Sequence, residues 1–143
     1  MFLGEYSHTL DAKGRVVMPS KFRQGLEEGC VVTKGQERCL YVFSMDRWDE
    51  EAARVQTLPR TDRRARNYSR SFFASATDQQ LDGQGRVQLP EALRRFARLE
   101  KDLTVVGVAD HIEIWAASVW DEVGAEADEY YAGIEEVLSE DGI

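Results

Sequence analysis

The sequence predicts a mainly β fold with short helices, an α+β chain built from two tandem copies of one small unit. Three observations carry that prediction. The segment Leu10-Asp11-Ala12-Lys13-Gly14-Arg15-Val16-Val17-Met18-Pro19 aligns with Leu81-Asp82-Gly83-Gln84-Gly85-Arg86-Val87-Gln88-Leu89-Pro90, identical at six of ten positions. Self-similarity at a fixed offset marks a duplicated supersecondary unit. Apolar and polar residues alternate with period two ahead of the first segment, and the same turn signal follows in both copies.

The elements follow in chain order. Phe2, Tyr6 and Leu10 alternate with Leu3, Glu5 and Thr9, which predicts a strand. Asp11-x-x-Gly14-Arg15 ends it: Asp favours the first position of a turn, where its carboxylate accepts backbone N–H groups, and Gly14 supplies a positive φ at little steric cost. Val16-Val17-Met18 resumes a strand. Pro19 then suits the first turn of a short helix, Ser20 to Leu26, whose Phe22 and Leu26 share a face. Strands are expected at Cys30 to Thr33 and Cys39 to Phe43, on either side of Lys34-Gly35-Gln36, and a helix opening at Ser44-Met45-Asp46. In the second copy Leu93 stands for Phe22, Gly107 for Gly35, Ile112 for Leu40, Ile114 for Val42 and Trp120 for Trp48. This places strands at Leu103 to Val106 and His111 to Trp115 and a helix start at Ser118. One such unit is marginal alone, so the two are expected to pack face to face or interleave into a single β-barrel-like core.

Composition bounds the function. The chain has 143 residues with 18 Lys+Arg and 26 Asp+Glu. Residues 1–75 hold 13 bases and 10 acids, whereas residues 76–143 hold 5 and 16, and Asp121 to Ile143 carries nine acids and no base. An acidic chain still binds an anionic polymer if its cations converge on one face. No apolar run approaches the roughly 20 residues that span a bilayer. Met1 to Leu10 lacks the basic start and apolar centre of a secretory signal, so a cytoplasmic protein with no membrane contact is expected. Cys30 and Cys39 are read as thiols in strands. With only His8 and His111 beside them, they make no metal site, and no cofactor is expected.

Catalytic motifs are lacking: no nucleophile elbow, phosphate loop or His-rich cluster occurs. Asp11 and Asp82 are read as turn-capping residues rather than an acid–base pair, and Ser7 and His8 point to opposite faces of a strand. The cations are more informative. Lys13, Arg15, Lys21 and Arg23 surround the first turn, and Arg86, Arg94, Arg95 and Arg98 lie about the second. Arginine at a turn beside a strand reaches phosphates and base edges. Lys13, Arg15, Lys21, Arg23 and Arg86 are therefore the candidate nucleic-acid contacts, and Asp11, Gly14, Asp82 and Gly85 the residues that shape the turns. Arg15 is expected to matter far more than Arg94.

Met1-Phe2-Leu3-Gly4-Glu5-Tyr6, then Asp11-x-Lys13-Gly14-Arg15 and Pro19, then Asp82-Gly83-Gln84-Gly85-Arg86-Val87 and Pro90, resemble the MraZ family of bacterial transcriptional regulators. The resemblance runs to about Val123. It implies two tandem SpoVT-AbrB-like repeats of swapped-hairpin type forming one pseudo-dimeric core, ring-shaped homo-oligomers, and association with the nucleoid. It also implies binding to double-stranded DNA at direct repeats upstream of the division and cell-wall gene cluster, including the protein's own gene, with repression as the outcome. The second turn departs from the first by carrying Gln84 where Lys13 stands.

The expected organisation is a first repeat at 1–54, a basic inter-repeat helix or linker at 55–75, a second repeat at 76–123 and an acidic helix or tail at 124–143. Residues 54–73 hold six arginines and one acid, Asp62. Two readings are open for them: a second DNA surface, or packing between repeats with pairing to Asp49-Glu50-Glu51 or the tail. A non-enzymatic DNA-binding regulator is the leading functional expectation. The alternative is an antitoxin-like interaction module of the same fold with secondary DNA binding.

Overall fold

The computed structural model describes residues 1–134. The first copy contributes β1 (Phe2–Thr9), β2 (Arg15–Val17), α1 (Ser20–Arg23) with a 3₁₀ turn behind it, β3 (Cys30–Lys34), β4 (Leu40–Ser44) and α2 (Met45–Gln56). After α3 (Arg63–Ala74), the second contributes β5 (Thr77–Gln79), β6 (Arg86–Gln88), α4 (Glu91–Phe96), β7 (Asp102–Ala109), β8 (His111–Ala116) and α5 (Ala117–Gly133). The expected acidic tail beyond residue 134 lies outside the described residues.

The two copies interleave. A six-stranded antiparallel sheet runs in the order β1-β7-β8-β4-β3-β5, and β2 pairs with β6 in a separate ribbon. The opening strand of each copy thus lies on the hairpin of the other: Phe2↔Ala109 to Thr9↔Asp102 joins β1 to β7, and Cys30↔Gln79 to Val32↔Thr77 joins β3 to β5. Exchanging the copies reverses the strand order and returns the same sheet. Two pairs sit on the resulting pseudo-twofold: Tyr41↔Glu113 at the centre of the sheet and Val16↔Val87 at the centre of the ribbon.

Alternation along each strand sorts side chains into two cores. On one face Val32, Leu40, Val42, Leu103, Val105, Ile112 and Ile114 meet the inward ribbon residues Val16, Met18, Val87 and Leu89 and the helix residues Phe22, Leu26 and Leu93. On the other face Phe43, Val55 and Phe72 pack with Trp48, Leu58 and Phe73 under α2 and α3. Val106 and Trp115 pack there with Val119 and Trp120 under α5. Three layers result: ribbon with α1 and α4, sheet, then α2, α3 and α5. The first core draws its residues from both copies and is covered by the sheet on one side and by the ribbon with its helices on the other.

The structure departs from the barrel expectation. Among the described residues the sheet stays open, with β1 and β5 at its edges. The ribbon and the two short helices cover the face that closure would have enclosed, so the apolar side chains are buried without joining the edges. The helix starts also differ. Ser44 caps α2, its Oγ accepting from Arg47 N at 3.3 Å, whereas α5 begins after Ala116, with Ser118 inside its first turn. Strand β7 runs on to Ala109, three residues past the expected end, because β1 pairs with it along eight residues. Cys30 and Cys39 are free thiols with no exposed surface, and burial pushes the Cys30 thiol up to about 11. No described helix is long and apolar enough to cross a membrane.

Candidate functional site

The two Asp-x-x-Gly-Arg turns have one geometry. In the first, Asp11 Oδ1 accepts from the backbone N–H of Lys13 and of Arg15, both at 2.9 Å, and Arg15 Nε donates to Asp11 Oδ2 at 2.8 Å. In the second, Asp82 Oδ1 accepts from Gln84 N and Arg86 N, both at 2.9 Å, and Arg86 Nε donates to Asp82 Oδ2 at 2.7 Å. Gly14 and Gly85 close the turns at φ of +77° and +75°, a region costly for a residue with a Cβ. The backbone N–H of Arg15, with help from its guanidinium and Lys13 N, lowers the Asp11 pKa. The backbone N–H of Arg86 leads the same set of causes at Asp82, which is lowered to about 2. Both carboxylates therefore serve their own turns and stay ionised at neutral pH.

These aspartates fix the arginines as well. Nε of each is committed to its carboxylate, while the terminal Nη atoms make no other hydrogen bond among the described residues. A guanidinium held at one edge is pre-oriented, with its outer edge free to donate. The register Arg15↔Gln88 and Val17↔Arg86 places both arginines on the outward face of the ribbon, since Val16 and Val87 point inward. Diagonal neighbours of this kind lie about 7–8 Å apart. The structure thus brings Arg15 and Arg86 onto one surface, with the exposed Lys13 at its end.

Helix arginines complete the surface by reaching across the pseudo-twofold. Arg23 Nε donates to Met18 O at 3.1 Å, and its guanidinium lies over Gly85 of the second turn. Arg94 Nε donates to Leu89 O at 2.9 Å and lies over Gly14 of the first. Main-chain bonds lock the same exchange, Met18 N to Gly85 O and Leu89 N to Gly14 O, each 2.8 Å. Arg94 therefore belongs to the first turn's surroundings, and its alignment with Arg23 was the signal for it. Gln88 is a second residue that sequence reasoning passed over. Its Nε2 donates to Lys13 O at 2.8 Å and Gly14 O at 3.3 Å. The signal was a departure from the repeat, because Val17 occupies the matching position.

Lys21 is exposed on α1. The arginines of residues 54–73 gather elsewhere, on the opposite face of the sheet. Arg54 pairs with Glu51, Arg64 with Asp62 at 3.5 Å, and Arg66 Nη1 donates to Arg60 O at 2.8 Å. Arg60, Arg66 and Arg70 line a cleft between α2 and α3 with Val55, Leu58 and Phe73. Phe72 anchors α3 to the sheet, Thr33 Oγ1 donating to its carbonyl at 2.7 Å.

The chain matches the family model described as "MraZ protein, putative antitoxin-like" twice, over residues 1–71 and over residues 72–136, so that each copy is matched separately.

Proposed function

The chain belongs to the MraZ family, and from that premise we propose that it is a sequence-specific DNA-binding regulator that touches duplex DNA with the outward face of the β2–β6 ribbon. One observation carries the reading: Arg15 and Arg86, each held by its own aspartate, stand side by side on a two-stranded antiparallel ribbon. A major groove admits such a ribbon, and a free guanidinium edge matches the two acceptors of guanine. Lys13, Arg23 and Arg94 add positive charge around them for phosphates, with Lys21 at the margin. The regulator acts in the cytoplasm on the nucleoid, as a ring-shaped homo-oligomer on direct repeats upstream of the division and cell-wall genes, and it represses them. No step in this reading needs an enzyme activity or a cofactor. Exposed Leu3 and Val108, paired at the β1 edge, suit contact between copies.

The direct test is titration of the protein against labelled duplex DNA from the region upstream of its own coding sequence and against a shuffled duplex of equal length. The reading requires a clear preference for the first, and equal affinities contradict it.

A protein-binding role of the antitoxin kind has its own supporting observation. Helix α5 carries Asp121, Glu122, Glu126, Asp128 and Glu129, with Tyr130 and Tyr131 exposed beyond them. That surface fits a basic partner.

A further inference from the structure

The two turns are alike in sequence and shape, yet they are held differently. In the first, the carbonyls of Lys13 and Gly14 both accept from Gln88 Nε2, at 2.8 and 3.3 Å. In the second, the matching position is Val17, which has no side-chain donor, so the corresponding Gln84 and Gly85 carbonyls receive no such clamp. Gln88 is itself held at two points. Gln79 Nε2 donates to Gln88 O at 2.9 Å, and Gln88 N donates to Gln79 Oε1 at 2.7 Å, so a side-chain amide stands in for a strand neighbour. Gln79 in turn lies opposite Cys30 in the main sheet. A continuous hydrogen-bonded relay runs from the sheet through Gln79 and Gln88 to the Lys13-Gly14 peptide.

We propose that Gln88 is a positioning residue for the first turn, holding Lys13 and Arg15 in their DNA-contacting arrangement before DNA arrives, and that Gln79 holds Gln88 in place. The proposal rests on the DNA-binding reading above and adds a division of labour to it. The first turn is pre-organised and discriminates between sequences; the second, lacking the clamp, adjusts. Pre-organised contacts lose less freedom on binding, so they favour the correct site over others. Because Gln88 spends its amide donors on the turn, it acts through Lys13 and Gly14 rather than by donating to a base.

Three variants test this. Gln88→Met keeps length and volume but removes the donor at an exposed strand position, where Met is tolerated. Gln88→Val reproduces the second turn's chemistry, and Val17→Gln gives that turn a donor. In the free protein, amide order parameters at Lys13 and Gly14 are expected to fall in Gln88→Met and Gln88→Val to the level of Gln84 and Gly85, and those of Gln84 and Gly85 to rise in Val17→Gln. Affinity for the preferred duplex is expected to drop about five- to tenfold in the Gln88 variants, the loss of one or two neutral hydrogen bonds. The salt dependence should stay unchanged, because Lys13 still reaches its phosphate, and affinity for shuffled DNA should fall less than affinity for the preferred duplex. First-turn order that does not change overturns the clamp, whatever happens to DNA affinity. An equal loss on preferred and shuffled DNA overturns it too, since Gln88 would then be a backbone contact. If the turn loosens as expected but the wild-type protein shows no preference among duplexes, the clamp stands and the DNA reading falls.

Discussion

Arg94 lies directly over Gly14, its guanidinium carbon 3.0 Å from where a Cβ on that glycine would sit, and Arg23 lies closer still over Gly85, its Nε 2.5 Å from the equivalent point. Each glycine is required by its positive φ, and a methyl group in its place would also push aside an arginine of the other repeat. Gly14→Ala and Gly85→Ala should each destabilise the fold by about 1–2 kcal/mol from backbone strain alone, with Gly85→Ala the worse of the two. Gly83 has open space around it, and its counterpart is already Ala12, so Gly83→Ala should stay within about 0.5 kcal/mol of the parent. Thermal unfolding of the three variants checks the order.

The aspartates make the turns sensitive to acid. Asp82 has its pKa lowered to about 2 by hydrogen bonds from Arg86 and Gln84, and Asp11 is shifted in the same direction. A carboxyl of lowered pKa adds stability above its unfolded value near 3.9, and that contribution disappears as pH falls through the folded value. The acid limb of the stability curve between about pH 4 and 2 should therefore flatten in Asp82→Asn. Chemical denaturation at a series of pH values measures it, and an unchanged limb would show that the carboxylate is no better bound in the fold than in the unfolded chain.

His111 gives the opposite slope. Burial by itself lowers its pKa, but hydrogen bonds to Glu113 and Asp110, at 3.1 and 2.8 Å, outweigh it and the net shift is upward. A raised histidine stabilises below its unfolded value near 6.5, and the contribution fades as pH rises through the folded one. Asp110 also meets Arg47 of α2 at 3.0 Å, so the charge links the β7–β8 turn to the first repeat. Stability should decline from about pH 6.5 upward in the parent and less so in His111→Gln, as followed by the denaturation midpoint.

Phe22 joins β1 to the ribbon layer. Its ring makes edge contacts with Phe2 and Tyr6, each at 5.3 Å between centroids, and it is buried beneath α1. Phe22→Ala should cost about 3–5 kcal/mol, while Phe22→Leu, the residue found at the matching position 93, should cost much less. Equal losses in the two variants would mean that ring contacts rather than volume set the packing.

The turns, their aspartates and the short strand after each turn were legible because each depends on residues close in sequence, and the repeat displayed them twice. The exchange of β1 and β5 between copies was only one of the two packings left open, face to face or interleaved. Alternation tells which face of a strand is buried but is silent on which strand lies beside it. Gly107 held a clue in its alignment with Gly35: a Cβ there would lie 2.5 Å from the Leu3 nitrogen, so only glycine admits β1 at that edge. Arg15 is at once the candidate DNA contact and the partner of Asp11. The geometry makes the two compatible, since Nε meets the aspartate and the far edge stays open. Gln88 was hidden because its partners are 74 and 75 residues away, and a glutamine on a strand carries no signature of such a bond.

Whether the ribbon meets DNA is tested most directly by the salt dependence of binding. The logarithm of affinity for the preferred duplex should fall linearly with the logarithm of salt concentration. In Arg15→Ala the affinity should drop by about 1–3 kcal/mol, with the preference over shuffled DNA largely lost, as expected for a base contact. In Lys13→Ala the slope itself should flatten by about 0.9, as expected for a lost phosphate contact. If both variants bind the preferred duplex with the parent's affinity and slope while remaining folded, the ribbon does not touch DNA and the account is wrong.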